Sequence, residues 1–290
     1  MDKKLTILVV GGHPADVFDH CGGTLAKHIA NGDRVVCLAL TQGLNVHDIV
    51  ITQKYRNGIP EAERADFEKT CREREEIKYR ETREACACFG IDDVRFLSYS
   101  ENFLFETNEG LINGVAKIVR EVKPNVLITH FPFEGGGLND HAVAARIAMR
   151  GAGLAHRADF ENNIPGWSIA QTFFMIASVQ TQSLGLLGYM HNPYIPVYVD
   201  VSDVIEKKVR ALYCMKSQQY DNDYATKRTE VNEGAFGHHT GTAYAEAFVP
   251  AGPTLYNLLP VSEVALSREN EPEINSRLRG GKMTVPYMEI

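Results

Sequence analysis

The sequence predicts a mostly parallel, Rossmann-like α/β sheet with helices on both faces and a C-terminal extension of strands and helices. Short β-branched runs alternate with helical segments at steps of about 25 to 35 residues, which is typical of parallel strands joined by helical crossovers. The apolar run Leu5–Val10 ends in Gly11-Gly12, as a buried strand does where it turns towards a helix. No G-x-G-x-x-G motif follows this strand, so the usual dinucleotide-binding fold is not indicated.

The first half of the chain contains the most regular predicted elements. Strands are predicted over 5–10, 34–40, 94–97 and 125–129, and helices over 25–31, 72–89, 110–122 and 142–151. Gly32 and Gly90 end the first two helices, because glycine readily takes the left-handed conformation of a helix C-terminus. The segment Ile49–Lys69 is polar and weakly periodic, so we expect it to cross the edge at which the strands end.

The second half of the chain is less regular. Strands are predicted over 171–179 and 196–201, and Ser202-Asp203 is expected to cap a helix that runs to about Gln219. The chain shows no internal repeat and no interdomain linker. We therefore expect one α/β domain over 1–290, with a core over about 5–260 and a C-terminal tail over 261–290.

Composition and charge argue against several classes of protein. The 290 residues are 44% hydrophobic and 23% charged, as in ordinary soluble globular proteins. A net charge of −7 without a strongly basic run argues against a nucleic-acid partner. No apolar stretch reaches the length of a membrane span, and the N-terminal run leads into a glycine turn without a cleavage site, so we predict neither a membrane segment nor a signal peptide. The six cysteines lack C-x-x-C spacing, which favours reduced thiols and a cytoplasmic location.

Three side chains are predicted to meet where the strands end. His13 and Asp16 follow the first strand, and His141 follows the fourth strand in the first turn of a helix that Asn139 or Asp140 caps. Ligands gather at the carboxyl ends of parallel strands. Two histidines and one carboxylate, with open positions for water and substrate, suit a catalytic zinc ion, and non-haem iron competes on ligand type alone.

Several short motifs occur in a characteristic order along the chain. They are His-Pro-x-Asp over 13–16, Gly-Gly-Thr over 22–24, Leu-Asn-Asp-His over 138–141 and Tyr-Ala-Glu-Ala-Phe over 244–248. In this order they resemble the PIG-L/LmbE-like superfamily of metal-dependent N-deacetylases, and Arg80-Glu81 and Ser217-Gln218 fit two of its helices. The resemblance covers about residues 5–260. It implies zinc, or another divalent metal, held by His13, Asp16 and His141, and a homo-oligomer, since members of the family often assemble in this way.

Three positions depart from the pattern of that family. Its deacetylases use the first Asp of His-Pro-Asp-Asp as general base, and here that position is Ala15. The first His of His-Pro-Asp-His, which is thought to stabilise the oxyanion, is Leu138, and the helix His before Ser-Gln is Met215. Because a methyl group cannot accept a proton, the sequence keeps the metal ligands but lacks the family's residues for amide hydrolysis.

These departures are similar to one branch of the superfamily, the 4-oxalomesaconate hydratases of aromatic compound breakdown. The shared features are His-x-Ala-Asp at the first turn, Thr129-His130, Asp140-His141 without a preceding His, and Cys214-Met215. The resemblance favours a metal-dependent hydro-lyase that adds water to a small unsaturated oxo-acid. In such an enzyme Asp140 would orient a ligand or act as base, and His130 would shuttle a proton. The candidates for binding the small anionic substrate are Arg80, Asn139, His238 and His239.

Two other functions stay open. The chain could be a zinc-dependent deacetylase of an N-acetyl sugar-type substrate that has recruited another base, namely Asp19, Asp140 or a histidine. It could also be a non-catalytic protein that binds a metal and a ligand. Ala15 tests the first of these, because an Ala15→Asp substitution that installs amide hydrolysis would identify a deacetylase scaffold that lacks one group. The non-catalytic protein would instead retain zinc and bind its ligand tightly without turnover.

Overall fold

A seven-stranded sheet lies at the centre of the protein in the computed structural model, which describes residues 3–177 and 197–283. Its strands are β1 (Thr6–Gly11), β2 (Arg34–Thr41), β3 (Asp93–Tyr99), β4 (Val126–His130), β5 (Gln171–Met175), β6 (Val197–Asp200) and β7 (Ala245–Pro250). Their order in the sheet is β3-β2-β1-β4-β5-β7-β6. Strands β1 to β5 pair in parallel, and β7 pairs antiparallel with both β5 and β6. The mostly parallel α/β sheet with a C-terminal extension is confirmed.

Helices cover both faces of the sheet. They are α1 (Asp16–Asp19), α2 (Gly22–Ala30), α3 (Leu44–His47), α4 (Ile49–Lys54), α5 (Arg64–Cys88), α6 (Glu109–Val122), α7 (Asp140–His156), α8 (Ile205–Tyr213), α9 (Asp223–Thr229), α10 (Ala235–Thr240), α11 (Glu263–Ser267) and α12 (Glu273–Gly280). A π-helical turn over Glu230–Gly234 joins α9 to α10. Within the described ranges, no helix is long and apolar enough to cross a bilayer.

The central strand β1 is apolar throughout because both of its faces are covered. Ile7 and Val9 belong to an apolar cluster with side chains of α2, α5 and α8. Leu8 and Val10 point to the other face and pack with side chains of α6 and α7. This double burial explains why β1 is a continuous hydrophobic run rather than an alternating pattern.

Some boundaries predicted from the sequence were wrong. Helix α5 begins at Arg64 rather than at residue 72, and α4 also lies within the segment Ile49–Lys69, which was expected to be an irregular excursion. The first half of α5 is charged and mostly exposed, so it offered little apolar periodicity. The strand predicted over 171–179 ends at Met175, and residues 178–179 lie outside the described residues.

The predicted cap of the helix after β6 was also wrong. Val204 occupies the N-cap position of α8 and makes no side-chain capping bond. The Ser202 hydroxyl instead donates to Asp200 Oδ1 at 2.7 Å. Helix α8 ends at Tyr213 and a separate 3₁₀ turn follows over Lys216–Gln218, so the helix does not continue to Gln219.

Glu246 joins two of the sequence motifs across the fold. Its carboxylate accepts hydrogen bonds from the backbone N–H groups of Gly23 (3.0 Å) and Thr24 (2.7 Å) in the first turn of α2. A Cβ atom at Gly23 would lie 2.7 Å from Val201, so only glycine fits this approach. The Gly-Gly-Thr and Tyr-Ala-Glu-Ala-Phe motifs therefore act as one structural unit that fixes the start of α2 beside the site.

Candidate metal centre

Three side chains converge at the carboxyl ends of β1 and β4. The turn after β1 supplies His13 and Asp16, whose Nδ1 and Oδ2 atoms lie 3.0 Å apart. Asn139 caps α7 by accepting from the Ala142 N–H at 2.9 Å, and this places His141 in the first helical turn. The Nε2 atom of His141 lies 3.6 Å from Asp16 Oδ1. One ligand atom from each of the three residues lies within 4.8 Å of the others.

A carboxylate holds the remaining nitrogen of each of these histidines. Asp140 Oδ2 lies 3.3 Å from His13 Nε2, and Glu134 Oε1 lies 2.7 Å from His141 Nδ1. Carboxylates in this position fix the tautomer and orientation of metal-bound histidines. The donor set of two imidazoles and one carboxylate, each histidine oriented by an acid, fits a divalent ion such as zinc.

A second grouping, His130 with Glu134 and His141, also has its ligand atoms within 4.8 Å of one another. In this grouping the Nδ1 atom of His141 is already engaged in the 2.7 Å hydrogen bond with Glu134. His130 is fully buried and stacks on the His141 ring at a centroid distance of 4.0 Å. His13, Asp16 and His141 are therefore the better candidate metal ligands, and two of them also line the adjoining cavity.

The charges in this cluster support one another. Burial opposes a charge on His13, but the Asp16 and Asp140 carboxylates outweigh it and raise the His13 pKa to about 9. Burial likewise opposes a charge on Asp16, yet His141 and His13 hold its pKa well below the usual range. The carboxylates are therefore anionic at neutral pH, and they also raise the pKa of His141 well above its usual value. A metal ion that binds here would displace the protons that the two histidines hold.

A cavity of about 560 Å³ opens beside the metal position. The side chains that line it include Ala15, Asp16, Asp19, His20, His47, His141, Gln218, Tyr220, Tyr224, Lys227, Arg228 and Asn232. They come from the turn after β1, from α3, from the first turn of α7, and from the segment between α8 and α10. The cavity thus has ligand residues on one part of its wall and cationic and aromatic side chains on another.

Two histidines in this cavity have no assigned role in the sequence argument. His47 stands edge-on to the His13 ring at a centroid distance of 4.5 Å, because Gly43 lets the loop after β2 turn tightly against Pro14.

His20 accepts a hydrogen bond at Nδ1 from Arg228 (3.1 Å), so its Nε2 carries the proton. Burial lowers the pKa of His47 to about 4 and that of His20 to about 3, so both rings are neutral. The available sequence signal for His47 was its position soon after the second predicted strand, at the edge where the strands end.

The remaining residues named from the sequence lie in different places. His130 has Nε2 3.1 Å from Asp16 Oδ2 and contributes nothing to the cavity wall. Asn139 serves as the cap of α7. Arg80 has a side chain that is 65% exposed and lies 3.9 Å from Glu84. The structure does not bring Arg80, His238 or His239 to the cavity: His238 lies 3.2 Å from the Gly280 carbonyl and His239 contacts the Tyr198 ring.

The three departures from the family pattern occupy different environments. Ala15 lines the cavity beside the metal position, so its methyl group replaces a carboxylate where a base would act. Leu138 is 87% exposed, whereas Met215 is fully buried in the core. Only the change at residue 15 therefore alters the wall of the cavity itself.

Comparisons with known proteins agree with the geometry. Residues 8–152 match the family model described as PIG-L, GlcNAc-PI de-N-acetylase. The chain is 30% identical over 186 residues to the 1D-myo-inositol 2-acetamido-2-deoxy-α-D-glucopyranoside deacetylase of Streptomyces scabiei, a match that covers 58% of this chain and 54% of that protein. It is 24% identical over 251 residues to the diacetylchitobiose deacetylase of Thermococcus kodakarensis, covering 84% and 83%. The chain thus spans about half the length of the Streptomyces relative.

A solved structure shows the same fold in a protein named for different chemistry. The 4-carboxy-2-hydroxymuconate hydratase of Pseudomonas putida KT2440 superposes with a TM-score of 0.64 at 18% identity, covering 89% of this chain and all of that one. At this level of identity the superposition shows a shared fold and nothing about shared chemistry. The family model spans half of the chain and includes all three candidate metal ligands, and the chain therefore belongs to the PIG-L family of de-N-acetylases.

Proposed function

We propose that this chain is a metal-dependent N-deacetylase that acts on a small N-acetyl substrate bound in the cavity. The observation that carries the proposal is the arrangement of Asp16 between two histidines, each oriented by its own carboxylate, at the edge of an open cavity. The curated relatives named above are deacetylases. The sequence-based preference for a hydratase has weaker support, because the one hydratase compared shares the fold at 18% identity.

His47 is the best-placed substitute for the missing base at residue 15. Asp19 is engaged by Arg228 through contacts of 2.6 to 3.0 Å, and Asp140 is held against His13. His20 is engaged at Nδ1 by Arg228, which leaves it a donor. Among the described residues, His47 has no hydrogen-bond partner, and it lines the cavity next to the His13 ring. It therefore offers a free acceptor nitrogen to a water molecule.

His20 is placed to take the second missing role. Its Nε2–H group has no hydrogen-bond partner among the described residues and the ring lines the cavity. A neutral imidazole N–H can stabilise the negative charge that develops on a carbonyl oxygen. When bound, a zinc ion would polarise that carbonyl and lower the pKa of water.

The reaction proposed is hydrolysis of the amide. His47 accepts a proton from the attacking water, whose oxygen adds to the acetyl carbon. The carbon–nitrogen bond then breaks, and the proton held by His47 passes to the departing nitrogen. The products are acetate and a free amine, with no other reactant needed.

Acetate release from N-acetylglucosamine derivatives by the zinc-loaded protein tests the proposal. We expect release that disappears in an Asp16→Ala variant, falls by about 10²- to 10⁴-fold in His47→Asn, and persists in a variant of an exposed histidine outside the cavity, His238→Asn. Activity that survives unchanged in His47→Asn would exclude His47 as the base. If none of these derivatives releases acetate, the result would count against the deacetylase itself.

A hydratase is the second candidate, and Ala15 is the observation that favours it. Hydration of an activated double bond needs no carboxylate at the position where deacetylases of this family keep one. The same preparation is therefore assayed with small unsaturated oxo-diacids, following loss of their conjugated absorbance. Loss that depends on Asp16, without acetate release from the N-acetyl compounds, would replace the first proposal with the second.

A further inference from the structure

Part of the cavity wall carries polar groups that the proposed reaction does not use. The segment after α8 contributes Gln218 and Tyr220, and helix α9 contributes Tyr224, Lys227 and Arg228. Glu81 of the buried face of α5 accepts from the Ser217 N–H at 3.1 Å. This bond ties the turn before Gln218 to the body of the protein.

The two adjacent basic residues of α9, Lys227 and Arg228, differ in whether an acidic partner compensates their charge. Arg228 donates to both oxygens of Asp19 at 2.6 to 3.0 Å and also binds His20, so its charge is compensated within the protein. Lys227 has an exposed side chain and no ion-pair or hydrogen-bond partner among the described residues. The uncompensated positive charge of this wall therefore resides on Lys227.

Gln218 provides an independent sign of an absent partner. Its Nε2 atom is buried and makes no hydrogen bond within the part of the chain that the structure describes. Buried amide donors almost always have an acceptor in proteins. Beside it, the rings of Tyr220 and Tyr224 stack at a centroid distance of 4.4 Å, which gives the wall a flat, rigid aromatic surface.

We propose that Lys227 and Gln218 form an anion-binding subsite, so that the substrate of this cavity carries a carboxylate or phosphate group besides the group that reacts. The ammonium group supplies the charge and the amide N–H supplies a directed hydrogen bond to an anionic oxygen. The inference rests on the proposed function only in placing the reacting group in the same cavity. It assigns the recognition of an anion to residues different from the Arg80, His238 and His239 named from the sequence.

Calorimetric binding to the zinc-loaded protein tests the subsite with three related probes. They are neutral N-acetylglucosamine, N-acetylglucosamine 6-phosphate and N-acetylmuramic acid, which carries a carboxylate. We expect at least one anionic probe to bind about tenfold to hundredfold more tightly than the neutral one, the range for a hydrogen bond to a charged group. Preference for one anionic probe over the other distinguishes phosphate from carboxylate recognition.

Variants separate the subsite from other sources of anion affinity. Lys227→Gln, which keeps the length of the side chain, should lose the preference, and Lys207→Gln, an exposed lysine of α8 outside the cavity, should keep it. An anion that binds only the metal would keep its affinity in Lys227→Gln, and that result overturns the inference. Equal affinity for the three probes, or no measurable binding of either anion at millimolar concentration, overturns it too.

The outcome is distinguishable from the fate of the proposed function when acetate is measured in the same samples. Anion preference that depends on Lys227 without acetate release would retain the subsite and refute the deacetylase. Acetate release at equal efficiency from neutral and anionic probes would retain the deacetylase and refute the subsite.

Discussion

Glu134 accepts a hydrogen bond from His141 Nδ1 at 2.7 Å, and this contact fixes the ring so that Nε2 faces Asp16 at 3.6 Å. Glu134 begins the turn Glu134–Gly137, in which Gly135 and Gly136 have positive φ angles of 56° and 75°. The glycines let the chain fold back tightly enough for Glu134 to reach the first turn of α7. The three-glycine turn therefore orients a candidate metal ligand.

A Glu134→Gln substitution should weaken zinc binding by about 10- to 100-fold, because a neutral amide holds the imidazole less strongly than a carboxylate does. The measurement is competition for zinc with a chromophoric chelator. Glu68→Gln, an exposed residue of α5, is the matched control and should leave the affinity unchanged. Equal zinc affinity in both variants would show that Glu134 does not position His141.

Ala15→Asp should restore acetate release in a His47→Asn background. The new carboxylate would occupy the cavity wall beside the metal position and supply a base, an effect worth about 10²- to 10⁴-fold. Ala15→Asn, which has similar volume but cannot accept the proton, should give no rescue. The measurement is the rate of acetate release, and identical rates in the two double variants would contradict the role given to residue 15.

Lys208 is expected to be critical for stability. It is fully buried and bridges Glu233 (2.7 Å) and Glu246 (2.9 Å). Lys208→Met should lower the free energy of unfolding by about 3 to 5 kcal/mol, since removing the ammonium group leaves the buried Glu246 carboxylate without its cation and the carboxyl group of Glu233 without a donor. Lys207→Met, its exposed neighbour, should change stability by about 0.5 kcal/mol or less. Urea denaturation provides both values, and similar losses in the two variants would contradict the argument.

The pH dependence of stability should carry a contribution from Glu233. Burial and the neighbouring Glu246 outweigh the attraction of Lys208 and Arg228, and the Glu233 pKa rises from 4.5 to about 7. Its Oε2 atom has no partner among the described residues, as expected of a carboxyl group that holds a proton. Between about pH 4.5 and 7 the folded protein keeps a proton that the unfolded chain releases. This contribution to the free energy of unfolding is therefore full below pH 4.5 and is lost as the pH rises towards 7.

Glu233→Gln tests this dependence. The neutral amide cannot titrate, so the decline in the free energy of unfolding between pH 5 and 7 should be smaller than in the unmodified protein. Denaturation curves at several pH values measure the slope. A slope that is unchanged or steeper in the variant would show that Glu233 is already ionised across this window.

Local pattern was sufficient to predict most of the sheet. The runs that became β1, β2 and β4 are apolar because parallel strands are buried on both faces, and this burial is visible in the sequence without knowledge of their neighbours. The exposed half of α5 was not predicted for the opposite reason: a helical segment that faces solvent has no apolar stripe that marks it in the sequence. That the protein assembles as a homo-oligomer stays a prediction.

The amino-acid sequence by itself predicted the candidate metal ligands His13, Asp16 and His141. The first two lie soon after the end of β1, and His141 lies in the first turn of the helix that follows β4. Only the tertiary structure decided what surrounds them. Glu134, His47 and Arg228 reach the site through a glycine turn, a loop packed on Pro14 and a helix more than 200 residues from Asp19 in the chain. Contacts between such distant segments depend on how helices pack on the sheet, which no local periodicity encodes.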